Sequence, residues 1–326
     1  MSVQDIARRA GVSTATVSRV LNDSQLVRPG TRARVEAVIA ELGYQPNILA
    51  RNLRTAESRM LLTMVPDFSN PFYAEIVRGI DAVAHREGYY VLLCDTGAEL
   101  PAERTYFNLL RNRLADGAIC LDPDTAQHAL AQELGNLCWV ACCEFDPDDA
   151  VPYVGIDNRR AAFDAVTHLI ERGRRRIVLI NSDERYLYAR QRRKGYEAAL
   201  AAAGLEPLPQ VQTLGLAFED GLSRVAELLG SGARFDAIFA VSDTLAIGAM
   251  RGLRDAGLSV PRDVSVVGFD NIPISLMVEP QLTTVEQPMK RLGETAAALL
   301  LKHLREPETP AGGLLLEHRL VVRDST

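Results

Sequence analysis

The spacing of apolar positions changes character once along this 326-residue chain. Over the first 45 residues it is helical. Val3 to Ala10 reads as a short helix opened by a capping box across Ser2-Val3-Gln4-Asp5. Gly11 supplies a turn conformation that a residue with a Cβ adopts reluctantly. Ser13 can then cap a second helix by accepting from a free N–H of its first turn. On that helix Val17, Val20 and Leu21 share one face, while Thr14, Ala15, Ser18 and Arg19 face elsewhere. Asn22 to Gly30 is a polar loop, and Pro29 suits the first turn of a third helix. Val35, Val38, Ile39 and Leu42 recur on it at 3.6-residue spacing and close a three-helix core. Gly43 to Asn47 ends that helix. Ile48 to Arg54 is too short to hold as a helix alone, so it is either a segment whose folding a partner decides or a plain linker.

From Met60 the pattern becomes an α/β alternation. Strands are predicted at 61–66, 89–94, 117–121, 137–142 and 153–156, with helices from Pro71 to about Arg86 and over 103–113. A second run starts near Asp157, with helices over 161–172, 190–203, 218–229 and 244–256 between strands at 176–180, 235–241 and 264–269. One more helix, about 289–304, and a final strand, 314–322, complete the chain. Continuous apolar strands separated by helices indicate parallel sheets covered on both faces. Two such doubly wound lobes leave a cleft at the carboxyl ends of their strands, where ligands of such folds sit.

Composition narrows the class. At 47% hydrophobic and 24% charged residues, the chain is neither disordered nor membrane-dominated. No apolar stretch follows a basic start, so the sequence predicts no signal peptide, no membrane span and a cytoplasmic protein. The five cysteines (94, 120, 138, 142 and 143) form no C-x-x-C pair and read as reduced thiols. The net charge of −6 argues against nucleic acid until its distribution is seen. Residues 1–54 hold eight Arg against Asp5, Asp23, Glu36 and Glu41, a balance of +4 that leaves −10 for the rest. A basic head on an acidic body is expected when only the head meets phosphates. With two short helices joined at Gly11, the head is a helix-turn-helix candidate whose outward face suits base edges and phosphates, against the plainer reading of a helical hairpin. No Ser–His–Asp arrangement, metal-ligand cluster or G-x-G-x-x-G appears, so no enzyme, cofactor or metal is predicted.

These motifs carry a resemblance. Asp5-Ile6-Ala7, Gly11-Val12-Ser13, Thr16-Val17-Ser18-Arg19-Val20-Leu21-Asn22 and Gly43-Tyr44-Gln45-Pro46-Asn47, with Gly268-Phe269-Asp270-Asn271 and Leu282-Thr283-Thr284-Val285-Glu286-Gln287-Pro288, resemble the lactose/galactose-repressor (LacI/GalR) family of bacterial transcription regulators. The resemblance covers essentially the whole chain. It implies a helix-turn-helix head (1–45), a hinge helix and linker (46–59) and a bilobed periplasmic-binding-protein-like core (60–326), an α/β fold of two doubly wound parallel sheets. Lobe 1 would take about 60–156 and 288–315, and lobe 2 about 157–287 and 316–326. In the head it implies that Thr14 and Ala15 read major-groove bases, with Ser18 on the same face. Arg19 would donate to guanine or phosphate, Gln25 would make a further contact and Asn47 would touch phosphate. Leu53 would wedge into the minor groove with Arg54 beside it.

In the cleft, Phe72 and Tyr73 would flank the effector, although an apolar pair at a helix start equally serves a core. Arg192 would bind effector oxygens, the alternative being a surface helix charge. Asp270 ends an apolar strand, where a lone carboxylate is costly unless paired or used. Asp157 is a similar strand-end carboxylate. Ser242 precedes a helix, where capping is the ordinary role and pocket lining the second. The stacking aromatic of several members aligns with Leu216, which Phe218 could replace. The implied function is a homodimeric repressor of a pseudo-palindromic operator, released by a polyhydroxylated effector: a nucleoside, or alternatively a pentose or hexose. The rival from another class is a solute-binding protein of the same bilobed fold. The wedge role makes a prediction: Leu53→Ala should weaken specific operator binding by about 1–3 kcal/mol in a mobility-shift titration and leave effector affinity nearly unchanged.

Overall fold

The computed structural model describes residues 2–21, 26–44, 57–97, 100–121, 137–145, 151–208, 211–213 and 215–326, without the side chains of 100–104. The chain divides into two compact units, Met1–Ser58 and Arg59–Thr326. The predicted contacts at Gln25, Asn47, Leu53 and Arg54, and nearly all of the expected hinge, lie outside the described residues.

The first unit holds α1 (Val3–Ala10), α2 (Thr14–Leu21) and α3 (Pro29–Leu42). The capping box forms as the sequence implies: Ser2 N donates to Asp5 Oδ2 at 2.9 Å, and Asp5 N donates back to Ser2 Oγ at 3.4 Å. Gly11 is left-handed at φ 62°, which lets α1 end and α2 begin three residues later. Ser13 Oγ accepts from Thr16 N at 3.2 Å, so the second helix is capped as well. Ile6, Val17, Val20, Val35 and Val38 fill the core, with Ile39 and Leu42 packed at its edge.

The second unit holds two six-stranded sheets. In the first, β1 (Met60–Val65) lies between β2 (Tyr90–Asp95) and β3 (Gly117–Cys120), followed by β4 (Trp139–Cys142), β5 (Tyr153–Ile156) and β11 (Gly313–Leu316), all parallel. The second repeats the winding, with β6 (Ile177–Asn181) between β7 (Val211–Gln212) and β8 (Ala237–Ala240). Then come β9 (Ser265–Asp270), β10 (Thr283–Glu286) and an antiparallel edge strand, β12 (Arg319–Val321). In both sheets the winding reverses beside the first strand, which opens a crevice at the strands' carboxyl ends. Side chains alternate across β1: Leu61 joins the core shared by both lobes, and Leu62 joins a second core with Phe107 and Trp139.

One predicted element divides. The single strand expected at 314–322 is two short strands in different sheets. The break falls at Glu317-His318, where the His318 ring lies 3.0 Å from Asp164 Oδ2 instead of continuing a ladder. The chain therefore crosses between lobes three times: after β5, after β10 and after β11.

Helices cover the sheets. They are α4 (Pro71–Arg86), α5 (Leu100–Arg111), α6 (Asn158–Glu171), α7 (Leu187–Ala202), α8 (Phe218–Gly230), α9 (Asp243–Asp255) and α10 (Met289–Arg305). Two antiparallel-type contacts depend on missing side chains. A Cβ on Gly79 of α4 would overlap the Lys290 carbonyl of α10, and one on Gly293 of α10 would overlap the Ile76 carbonyl of α4. Gly221 and Gly248 make the same reciprocal contact between α8 and α9. Since the obstructing atoms are backbone, the helices themselves would have to part. Gly79→Ala should therefore destabilise the body by about 1–3 kcal/mol, read as a lower calorimetric melting temperature of the full-length protein.

Candidate functional site

Between the two lobes lies a narrow cleft with little enclosed free space. Strand-end segments of both lobes contribute to it. Lobe 1 supplies Asn70, Phe72 and Tyr73 at the start of α4, Leu121 after β3, and Cys143 and Glu144 after β4. Lobe 2 supplies Asn158, Tyr188, Arg192, Leu216 and Asp270, and Gln287 follows β10 at the second crossover.

Arg192 is its central cation, only 5% exposed. Its Nε donates to Asn158 Oδ1 at 2.9 Å and its Nη1 to the Val241 carbonyl. Asp270 Oδ1 stands 4.0 Å from Nη1. The guanidinium also lies 3.5 Å from the centre of the Phe269 ring and 4.8 Å from that of Tyr188, so aromatic faces replace part of its lost hydration. Asp270 accepts from Gln287 Nε2 at 2.7 Å. Its backbone has φ 112° and Asn271 follows at 59°, conformations that L-residues seldom adopt. The bend is held from outside the cleft. Arg323 donates to Asn271 Oδ1 at 2.6 Å, and buried Asp243 accepts from Ile272 N at 2.8 Å and from Thr284 Oγ1 at 2.5 Å.

Burial acts on both carboxyls that line the cleft. Burial pushes Glu144 up to about 7, against the opposing pull of the Tyr188 and Leu187 amides and of Arg192 and Arg190. Burial likewise pushes Asp270 up to about 6, against Arg192 and the Gln287 amide. Hydrogen bonding to Cys142 and burial hold the Cys143 thiol well above its usual range. Among the described residues no group of His, Cys, Asp and Glu is arranged to hold a metal ion, and no helix is long and apolar enough to cross a membrane.

Phe72, Tyr73, Arg192 and Asp270 meet in the cleft as the sequence implies, with Phe72 and Tyr73 edge to face at 5.2 Å between centroids. Three other expected residues do not join them. Asp157 is exposed and caps α6, its Oδ1 accepting from Arg160 N at 2.8 Å, while its neighbour Asn158 faces the cleft. Ser242 caps α9, accepting from Leu245 N at 3.2 Å. Phe218 lines a separate groove with Ile247, Met250 and Val278, and Leu216 itself lines the cleft. Sequence reading also passed over Asn70, Glu144, Asn158, Tyr188 and Gln287. Glu144 carries the signal that singled out Asp270, a carboxylate just after an apolar strand. Gln287 stands inside a stretch already recognised as a motif.

On the head, Thr14, Ala15 and Arg19 are exposed and Ser18 half-buried on one side of α2, opposite buried Val17 and Val20. The turn at Gly11 and the crossing of α1 by α2 give the helix-turn-helix its form.

The family described as "Bacterial regulatory proteins, lacI family" matches residues 2–47, and "Periplasmic binding protein-like domain" matches 166–326. The chain is 38% identical over 327 residues to the HTH-type transcriptional repressor CytR of Escherichia coli (strain K12), covering all of this chain and 96% of that one. The chain belongs to the LacI family. As a LacI-family protein it is a DNA-binding transcription regulator. The crystal structure of the lac repressor dimer bound to operator and the anti-inducer ONPF is 27% identical with a TM-score of 0.92, covering 100% of this chain and 98% of that one. A LacI family regulator from Enterococcus faecium with bound ribose is 28% identical with a TM-score of 0.72, covering 82% of this chain and 98% of that one.

The raised carboxyls give this family member a pH signature. A carboxyl whose folded-state value lies above its unfolded one takes up a proton more readily when folded. Its stabilising contribution is full below the unfolded value and is lost as pH rises through about 6 for Asp270 and about 7 for Glu144. Between about pH 5 and about pH 8 the Glu144→Gln, Asp270→Asn double variant should therefore lose less melting temperature than wild type, and parallel calorimetric profiles would count against the burial argument.

Proposed function

We propose that this chain is a homodimeric repressor that binds a pseudo-palindromic operator through paired heads and is released when a nucleoside enters the cleft. The observation that carries this reading is where the cleft's charges are anchored. Arg192 is bonded to Asn158, which follows the first crossover between lobes, and Asp270 to Gln287 at the second. A ligand that takes hydrogen bonds from Arg192 and gives them to Asp270 therefore acts on the connections between the lobes. It favours one lobe pose over another by the difference in its affinity for the two. Ribose hydroxyls suit the carboxylate, a base carbonyl suits the guanidinium, and Phe72, Tyr73 and Tyr188 offer faces for the ring. The similarity to CytR supports repression and a nucleoside. Ribose alone is the second reading, favoured by the narrow cleft and by the ribose-bound relative.

Thr14, Ala15, Ser18 and Arg19 are assigned to major-groove contacts, with Gln25, Asn47, Leu53 and Arg54 extending the interface. Ala15 can touch a thymine methyl but offers no hydrogen bond. Self-association is supported by the apolar groove of Phe218, Ile247, Met250, Leu258, Val260 and Val278, beside which Met277 is 77% exposed. It is also supported by edge strand β2, where Tyr90 is 67% exposed, and by the dimeric lac repressor structure. Action on chromosomal operators places the protein in the cytoplasm, and no catalytic step is assigned to it.

Calorimetric titration with cytidine, ribose and a hexose series, paired with operator mobility shifts, tests the reading. Cytidine should bind and weaken operator affinity; equal or tighter operator binding at saturating cytidine would overturn induction. Asp270→Ala should abolish the cytidine effect while the free variant still shifts operator DNA.

A further inference from the structure

Glu144 does something that a residue of one lobe seldom does. It leaves lobe 1 at the end of β4, directly after Cys143, whose φ of 74° turns the chain toward the cleft. Its Oε2 accepts from Leu187 N at 2.7 Å and its Oε1 from Tyr188 N at 2.8 Å. These are the first two residues of α7 in lobe 2, whose N–H groups have no acceptor within their own helix. The residue before them, Tyr186, supplies no side-chain cap. The cap of α7 therefore comes from the opposite lobe. The same helix carries Tyr188 and Arg192 into the cleft.

We propose that Glu144 is a positioning residue that latches lobe 1 to the amino terminus of α7, holding the cleft closed and aiming Tyr188 and Arg192 at the effector. The carboxylate is matched both to the two helix-start N–H donors and to the positive end of the helix dipole. Arg190 and Arg192 face it from α7, and Cys143 precedes it. Parting the lobes would return the carboxylate to water and expose both amides.

The nucleoside assignment bears on what the latch serves, not on whether it exists, so the deciding experiment needs no ligand. Amide hydrogen exchange is followed at Leu187 and Tyr188 in the full-length protein. Both should be protected in wild type and exchange about tenfold faster or more in Glu144→Ala, with amides inside α7 unchanged. Glu144→Gln keeps the shape but only one acceptor, so one of the two amides should accelerate. Unprotected amides in wild type, or equal protection in Glu144→Gln at both positions, would overturn the latch, even if Glu144→Ala does not fold. A separate arm adds saturating cytidine: added protection supports closure around a nucleoside, and no change counts against that effector while the latch stands on the ligand-free result.

Discussion

The body of this protein is arranged around the burial of one guanidinium. An unpaired charge deep in a protein is among the most unfavourable things a fold can contain, and a buried pair is tolerable only when further hydrogen bonds complete it. Arg192 meets that demand with an amide oxygen, a backbone carbonyl, a carboxylate at 4.0 Å and two aromatic faces. Its partners are not neighbours in the chain. They come from the start of α6, the end of β8 and the end of β9, and the carboxylate is itself steadied by Gln287 from the next crossover. Satisfying the charge therefore draws the crossover segments together. The left-handed backbone at Asp270 and Asn271 is retained because Arg323, Asp243 and Thr284 hold it from behind.

The head is built on the opposite principle. Its helices have 8, 8 and 14 residues, lengths at which an isolated helix is marginal in water. They persist because Ile6, Val17 and Val35 are buried against one another and because α1 is capped at both ends. An ion pair between Arg9 and Glu41 joins α1 to α3 at the surface, where such a pair contributes little. What the core secures is the direction of α2, so that the residues not needed for packing stay together on the outside. Small and polar side chains there lose little by remaining in water.

How much of this was legible in the sequence follows from the range over which each signal acts. The capping of α1, the turn at Gly11, the exposed face of α2 and the α/β alternation are set by residues three or four positions apart. Periodicity and capping chemistry therefore revealed them. Family motifs added the bilobed body and singled out Arg192 and Asp270, which the fold brings to the cleft. The strand read over 314–322 failed for a matching reason: its apolar pattern is continuous through Leu316, and the polar Glu317-His318 pair became a crossover only because Asp164 of α6 stands beside it.

Sequence alone could not rank three carboxylates that look alike, each just beyond an apolar strand. Asp157 turns back to cap its own helix, Asp270 faces the cleft on a strained backbone, and Glu144 reaches across to the other lobe. The sequence determined that such groups exist and which elements carry them. Tertiary structure decided their work, because a buried carboxylate takes whichever donors the fold brings within hydrogen-bonding distance, and those donors lie 3, 17 and 43 residues away.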